Sequence, residues 1–538
     1  MQFLDEKDLR IKQLENQNKQ LLKKVEMLEH NVEILTQAVL HAAKQRFGAS
    51  SEKTPKIDGQ CSLLNEIIND IPDEVKVINI KEHKRPVRKK GDRNHLIKEL
   101  PHETVECVLN DEEAICEICG SNLKVIGKKK VRSEIEYIPA KLIVKDYVQY
   151  VYKCVECGKN DINPYDSIYC APVQAPVLAH SLASPSIVAW IMYQKYVMSV
   201  PLYRQEKDFA RMDAELKRDM MANWVIRCSE YWIKPLYELM HEELLKCSII
   251  MSDETTWQVN KEKDKKASSN SYIWVHRTGS CEGPPIILYQ YTSSRSGEHA
   301  KIFLEGFTGY HVSDAYAGYE KVEGITRCLC FSHLRRYYID AIPLDSGKKE
   351  IPGSGGSIGR AYCDKLFSLE RKWKELSPEE RKKNRLIYSV PILDAFFAWA
   401  EKTFTHQVML RKALYYTLNH KKYFSNFLLD GRIPLSNNLS EIAVKPVAIT
   451  RKNSLFSDSP AGAEASALVF SIINTARANN LDPYTYLKYI FSELPNIDFA
   501  SNKGILQEYL PWGDKAQLNC KIKITETDRN EENDIESA

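Results

Sequence analysis

The chain has 538 residues, 43% hydrophobic and 27% charged, which is more than one core needs; it implies about two to four globular units and excludes a small binding module. Its 75 Lys+Arg against 72 Asp+Glu leave a net charge of only +3, so any affinity for nucleic acid has to come from local basic patches. No apolar signal core opens the chain, runs such as Ser186 to Met192 are too short to span a bilayer, and 14 scattered cysteines are no secreted disulfide framework, so the expectation is a cytoplasmic protein without a membrane partner.

The first element, residues 1–45, repeats in heptads. Leu4, Ile11, Asn18, Val25, Val32 and Val39 fall on one seam position, and Leu14, Leu21, Leu28 and Leu35 on the other. β-branched residues opposite Leu favour a parallel two-stranded coiled coil, and one Asn on the seam fixes register and dimer state, which predicts a homodimer or higher assembly. Residues 46–95 read as a flexible linker with a short helix near Leu63 to Ile68, ending in a basic run that includes Lys89 and Lys90. That run is either a phosphate-binding patch or simply solvated chain.

Residues 96–175 hold Cys116-Glu-Ile-Cys119 and Cys154-Val-Glu-Cys157, each pair followed by Gly. Four thiolates so paired satisfy tetrahedral Zn²⁺, and the alternating segments Val131 to Tyr137 and Val144 to Lys153 predict a hairpin between them, a zinc ribbon. Over 176–246, Ser184-Pro185 opens an apolar helix, a second helix runs from about Leu202 to Arg211, and a third from about Leu216 toward Leu245, with a turn at Met212-Asp213. The arrangement is compatible with helix-turn-helix, which would present Lys217, Arg218 and Asn223 to DNA, although helix pairs with short turns occur in any helical domain.

From Ser248 the pattern changes to strands. Ile249 to Asp253, Tyr272 to Val275 and Ile286 to Tyr291 predict a meander, followed by a helix (Glu298 to Phe307), a strand Tyr310 to Ser313 and another at Ile325 to Phe331. The order βββαβαβ is that of a ribonuclease H-like α/β core, split into 247–342 and 431–495 by a mostly helical insertion at 343–430, within a multidomain α+β chain. In such a core Asp253 and Asp314 sit on neighbouring strands, and Glu441, at the start of a later helix, can reach them. Clustered carboxylates in a partly buried cleft need a cation, here Mg²⁺ or Mn²⁺, and two such ions activate a water or a DNA 3′-hydroxyl for in-line displacement. Each acid also has a plainer reading: Glu254 as ligand in place of Asp253, Asp314 as a turn cap, Glu441 as an exposed helix residue. Gly353 to Gly359 lacks the Lys-Ser/Thr of a phosphate loop and reads as a hinge, and the residues after 496 as a polar tail.

Arg46 to Lys53, the two C-x-x-C pairs, Pro201 to Glu206, Asp253-Glu-Thr, Ser313 to Tyr319, Cys330 to Arg336, Asn437-Asn438 with Glu441, Arg451-Lys-Asn453 with Leu455-Phe456, and Asn480 to Leu487 together form a set of motifs. In these stretches the chain resembles the insertion-sequence-66 family of transposases. The resemblance implies that Asp253, Asp314 and Glu441 are the catalytic, metal-binding triad of a DDE enzyme that cleaves and joins double-stranded DNA at element ends and target, with small accessory proteins of the same element as further partners. Departures from the family pattern are Ser436 for Asp, Lys445 for Arg and Ser454 for Trp. Cys330 and His333, just after the second acidic strand, are either accessory to the site or structural. Arg335, Arg336, Arg451 and Lys452 flank the acids and could neutralise DNA phosphates. Two other readings keep the sequence features: a structure-specific nuclease or junction resolvase of the same fold, and a non-catalytic DNA-binding derivative.

Overall fold

The structure, a computed structural model, describes Thr104 and residues 141–153, 168–280, 283–345 and 349–522. The expected coiled coil, the linker with Lys89 and Lys90, and the four cysteines Cys116, Cys119, Cys154 and Cys157 lie outside the described residues. The chain divides into two compact units, Pro72–Val148 and the remainder. In the smaller unit, Thr104 and 141–148 form no helix or strand.

In the larger unit β1 (Val151–Lys153) pairs antiparallel with β2 (Ile168–Cys170). Helix α1 (Pro185–Tyr196) starts as its sequence dictates: Ser184 accepts from the Ile187 amide, and Pro185 takes a first-turn place where no N–H is needed. After α2 (Leu202–Ala210), Asp213 turns the chain with φ 57°, a conformation Asp tolerates, into α3 (Arg218–Cys228). The long third helix expected from the sequence is interrupted by a π-helical turn, Ser229–Ile233, before α4 (Lys234–Leu245). Pro235 explains it: its ring would press on the Tyr231 carbonyl, so the ladder slips one residue and Lys234 N–H reaches Ser229 O.

Strands β3 (Ile249–Gln258), β4 (Asn270–Thr278), β5 (Ile287–Thr292), β6 (Tyr310–Ser313) and β7 (Thr326–Leu329) form one mixed sheet in the order β5-β4-β3-β6-β7. β3 to β5 are antiparallel neighbours, whereas β6 and β7 run parallel to β3. Helix α5 (Gly297–Phe303) makes the crossover from β5 to β6, but only a 3₁₀ turn, Ala317–Lys321, joins β6 to β7, and the helix expected there follows β7 instead as α6 (Phe331–Asp340). The sheet and its helices have the make-up of a ribonuclease H-like core.

Alternation along β3 divides the hydrophobic interior in two. Ile250 packs with α1 to α4 and the C-terminal helices; Ile249 and Met251 pack with α6, α7 (Gly355–Lys372), α9 (Val390–Lys402) and α10 (Val408–Asn419). Between α7 and α9 lie the short α8 (Pro378–Asn384) and a second π-helical turn, Arg385–Ser389, just ahead of Pro391. The glycine stretch 353–359 is no hinge: Ser354 caps α7, and Gly356 and Gly359 are where α7 touches α6, since a Cβ on Gly356 would meet Ala341 C at 2.6 Å and one on Gly359 would overlap the Tyr338 ring. The chain closes with α11 (Asn438–Ser454), α12 (Pro460–Ala478), α13 (Pro483–Glu493) and α14 (Asp514–Cys520). The polar tail expected from 496 begins later, because Leu506, Tyr509, Leu510, Ala516 and Cys520 are all buried in the first core.

Candidate active site

The parallel register pairs Ile249 with Tyr310, Ile250 with His311 and Met251 with Val312. Two residues beyond that last pair, on the same face as Met251 and Val312, come Asp253 and Asp314. Each is tied locally: Asp253 Oδ1 accepts from the Glu254 amide at 2.9 Å and Asp314 Oδ1 from the Tyr316 amide at 2.9 Å. Glu441 arrives on the first turn of α11, whose start is bolted down by Asn437. The Asn437 side-chain amide donates to Ser252 O, the residue before Asp253, at 2.8 Å, and its backbone N–H donates to Cys330 Sγ at 3.1 Å. Further along α11, Arg277 donates to Leu439 O and Tyr289 to Ala443 O.

The electrostatics follow from this convergence. Burial pushes the Asp253 carboxyl up to about 7, reinforced by the negative charges of Glu254, Asp314 and Glu441 and opposed by the Glu254 amide. Asp253 is therefore a carboxyl still partly protonated at neutral pH unless a cation joins it.

Glu254 points to the opposite face, its side chain only 4% exposed, and is held by Arg295 and by Tyr319 Oη at 3.1 Å. Burial and the Asp314 charge raise its pKa, and Arg295 and Tyr319 pull it back. Arg295 also lies 4.0 Å from Asp314, sits over the Tyr316 ring at 4.2 Å, and keeps its own side chain 43% exposed. Sequence reasoning missed Arg295, because a Ser-Arg-Ser loop after a strand carries no motif; only the fold brings it to the acids.

Both oxygens of Glu441 face α6. Oε1 is 3.7 Å from His333 Nδ1 and Oε2 is 3.7 Å from Arg336 Nη2. Behind Asp253, Ser252 Oγ links His276 Nδ1 (2.8 Å) on β4 to His311 Nε2 (2.9 Å) on β6, all three residues fully buried. This bracket across three strands also left no sequence signal beyond isolated histidines.

Of the other residues singled out by sequence, Arg335 pairs with Asp364 of α7 at 2.6 Å, and Arg451 donates to Thr255 and Thr256 at the far end of β3. Lys452 is exposed, as are Lys217, Arg218 and Asn223 around the start of α3.

Residues 180–465 match the description "Transposase IS66 family", 113–158 "zinc-finger binding domain of transposase IS66", 471–512 "IS66 C-terminal element" and 34–105 "Transposase C of IS166 homeodomain". Among curated proteins, the uncharacterized protein y4jD of Sinorhizobium fredii is 28% identical over 523 residues, covering 93% of this chain and 98% of that protein. The uncharacterized protein y4hP of the same organism is 27% identical over 491 residues, covering 86% of each.

Proposed function

The chain belongs to the IS66 family of transposases, and on that premise we propose that Asp253, Asp314 and Glu441 are its catalytic carboxylates and hold Mg²⁺ or Mn²⁺. It is a DDE transposase, an enzyme of DNA transposition that carries a zinc-finger segment. The observation that carries the residue assignment is the register of β3 and β6, which sets Asp253 and Asp314 side by side on the face to which Asn437 pins the helix bearing Glu441. The chemistry of the donors fits a hard divalent cation: Asp253 feels the charges of Asp314 and Glu441, and its rise to about 7 reflects a burial and a repulsion that a cation relieves, although the Glu441 oxygens here face α6 and have to turn toward the two aspartates to join it.

Bound there, divalent cations supply Lewis-acid stabilisation of an in-line displacement at phosphorus. The chain's own residues supply the rest. Asn437 fixes the approach of Glu441, the Ser252–His276–His311 bracket fixes the strands, and Arg295, exposed beside Asp314, is placed to meet a DNA phosphate. In strand transfer a 3′-hydroxyl oxygen forms the new bond to phosphorus and the bridging oxygen of the attacked phosphodiester leaves.

The finer organisation is part of the same proposal. Cys116, Cys119, Cys154 and Cys157 bind one Zn²⁺, the α2–α3 pair with exposed Lys217, Arg218 and Asn223 contacts element ends, residues 1–45 make a dimer that holds two ends together, and accessory proteins of the element assist in the cytoplasm. Among the described residues no helix is long and apolar enough to cross a membrane.

The test is Mg²⁺-dependent joining of an oligonucleotide duplex that carries the inverted repeats flanking the gene. Asp253→Asn, Asp314→Asn and Glu441→Gln should each abolish joining while leaving duplex binding intact, because each removes an ionised ligand and little volume. Joining at the wild-type level by any one of them would remove that residue from the triad.

A further inference from the structure

Among the described residues one group combines soft and hard metal-ligating atoms: Cys330 Sγ, a His333 ring nitrogen and a Glu441 carboxylate oxygen all lie within 4.8 Å of one another. Cys330 takes the N-cap position of α6 and His333 is three residues on, so thiol and imidazole share one side of the helix, and α11 brings Glu441 against them. His333 Nδ1 and Glu441 Oε1 are both buried and both lack a hydrogen-bond partner. They are 3.7 Å apart, too far for a hydrogen bond and close to the ~3.3–3.5 Å that separates two ligands of one small tetrahedral cation. Buried orphans that face each other across such a gap leave room for a shared partner.

We propose that Cys330, His333 and Glu441 form a mononuclear site for a borderline-soft divalent cation of the Zn²⁺ class, and that filling it withdraws Glu441 from Asp253 and Asp314. The donors decide the metal. Thiolate and imidazole favour Zn²⁺ over Mg²⁺, whereas the Asp253–Asp314 pair offers only hard oxygen. Binding releases the Cys330 thiol proton to solvent and leaves the fourth position to a water. Zn²⁺ at this site is therefore an inhibitor of the Mg²⁺-dependent reaction. The inhibitory consequence rests on the reading of Glu441 as a catalytic carboxylate; the site itself does not.

The probe is Co²⁺, added to the full chain after removal of bound zinc, with thiolate-to-cobalt charge transfer and visible bands read for wild type, Cys330→Ser and the near-isosteric His333→Gln. Wild type should bind one more Co²⁺ than either variant, and Asp253→Asn should keep the wild-type thiolate-to-cobalt band whatever it loses at the carboxylates. In the joining assay at fixed Mg²⁺, Zn²⁺ should inhibit wild type, and Cys330→Ser should need at least about tenfold more Zn²⁺ for the same fractional inhibition of its own zinc-free rate, since even outer-shell changes cost that much. Equal Co²⁺ uptake and spectra in wild type and both variants would overturn the site. If Glu441→Gln abolishes joining and yet takes up Co²⁺ as wild type does, the site fails and the catalytic reading stands. If Glu441→Gln joins normally and has lost the extra Co²⁺, the site stands and the inhibitory role falls with the catalytic one.

Discussion

Two kinds of buried titratable residue at the site give the protein opposite pH dependences. Asp253 titrates near 7 in the folded chain against an ordinary 3.8, so the metal-free fold keeps a proton that the unfolded chain gives up, and the Asp253 contribution to stability is lost as pH rises from about 4 through 7. Asp253→Asn should erase that slope and, without metal, be more stable than wild type above pH 7, since the slope it removes is on the order of 1.4 kcal/mol for each pH unit across that window. Mg²⁺ should stabilise only the wild type. Burial moves His311 the other way, down to about 3, and lowers His276 as well, so below about pH 6.5 the unfolded chain gains protons that the fold refuses and stability falls with acid. His311→Gln should make the acid loss shallower, His276 keeping its share, and leave the Asp253 contribution unchanged; urea midpoints of wild type, Asp253→Asn and His311→Gln from pH 4 to 9 separate the contributions. Sequence spacing could find Asp253 and Asp314, because strand ends declare themselves in hydrophobic pattern. It could not find Arg295, Ser252 or the histidines, whose partners sit 24 to 59 residues away on other strands or in loops.

At the scale of elements, breaks in the helical region come from proline and tight contacts from glycine. The sequence pattern continues as one helix past Pro235, since the apolar period survives the π-helical turn; only the lost N–H and the crowded carbonyl of Tyr231 reveal the slip. Gly353 to Gly359 misleads in the opposite direction. A glycine run reads as freedom, yet Gly355 to Gly359 is the first turn of α7, capped by Ser354 and closed onto α6. This gives a sign test. In an exposed helix Gly→Ala gains up to about 1 kcal/mol from propensity. At Gly359 the added methyl overlaps the Tyr338 ring, whose hydroxyl is already engaged with Thr417 at 2.7 Å, so Gly359→Ala should destabilise by about 1–3 kcal/mol. A denaturant titration that found Gly359→Ala stabilising would restore the hinge reading.

Among the described residues of the larger unit, the sheet separates two cores, and the site lies where elements from both meet: Asp253 and Asp314 on the strands, Glu441 on a helix packed against the first core, Cys330 and His333 on one packed in the second. The segment that crosses between them, 427–437, must therefore be held from the insertion side. Arg385 does this. It is 1% exposed, and its five N–H donors have five acceptors: both Glu370 oxygens at 2.8 and 2.7 Å and the carbonyls of Phe427, Asp430 and Ile433 at 2.7–2.8 Å. An ion pair so fully satisfied specifies a geometry more than it adds stability, but removing one partner strands the other. Arg385→Met, which keeps most of the volume, leaves Glu370 unpaired and three carbonyls bare, and should cost about 3–5 kcal/mol. Arg385→Met with Glu370→Leu should recover much of that stability, because no charge is then left buried. Joining activity should not recover with it. The carbonyls that Arg385 gathers lie on the path to Leu435 and Asn437, and a loosened path misplaces Glu441 by the ångström or so that costs about a hundredfold in rate. The double variant therefore separates folding from positioning: stable protein with impaired Mg²⁺-dependent joining is the expected result, and full recovery of both would confine Arg385 to holding the insertion together.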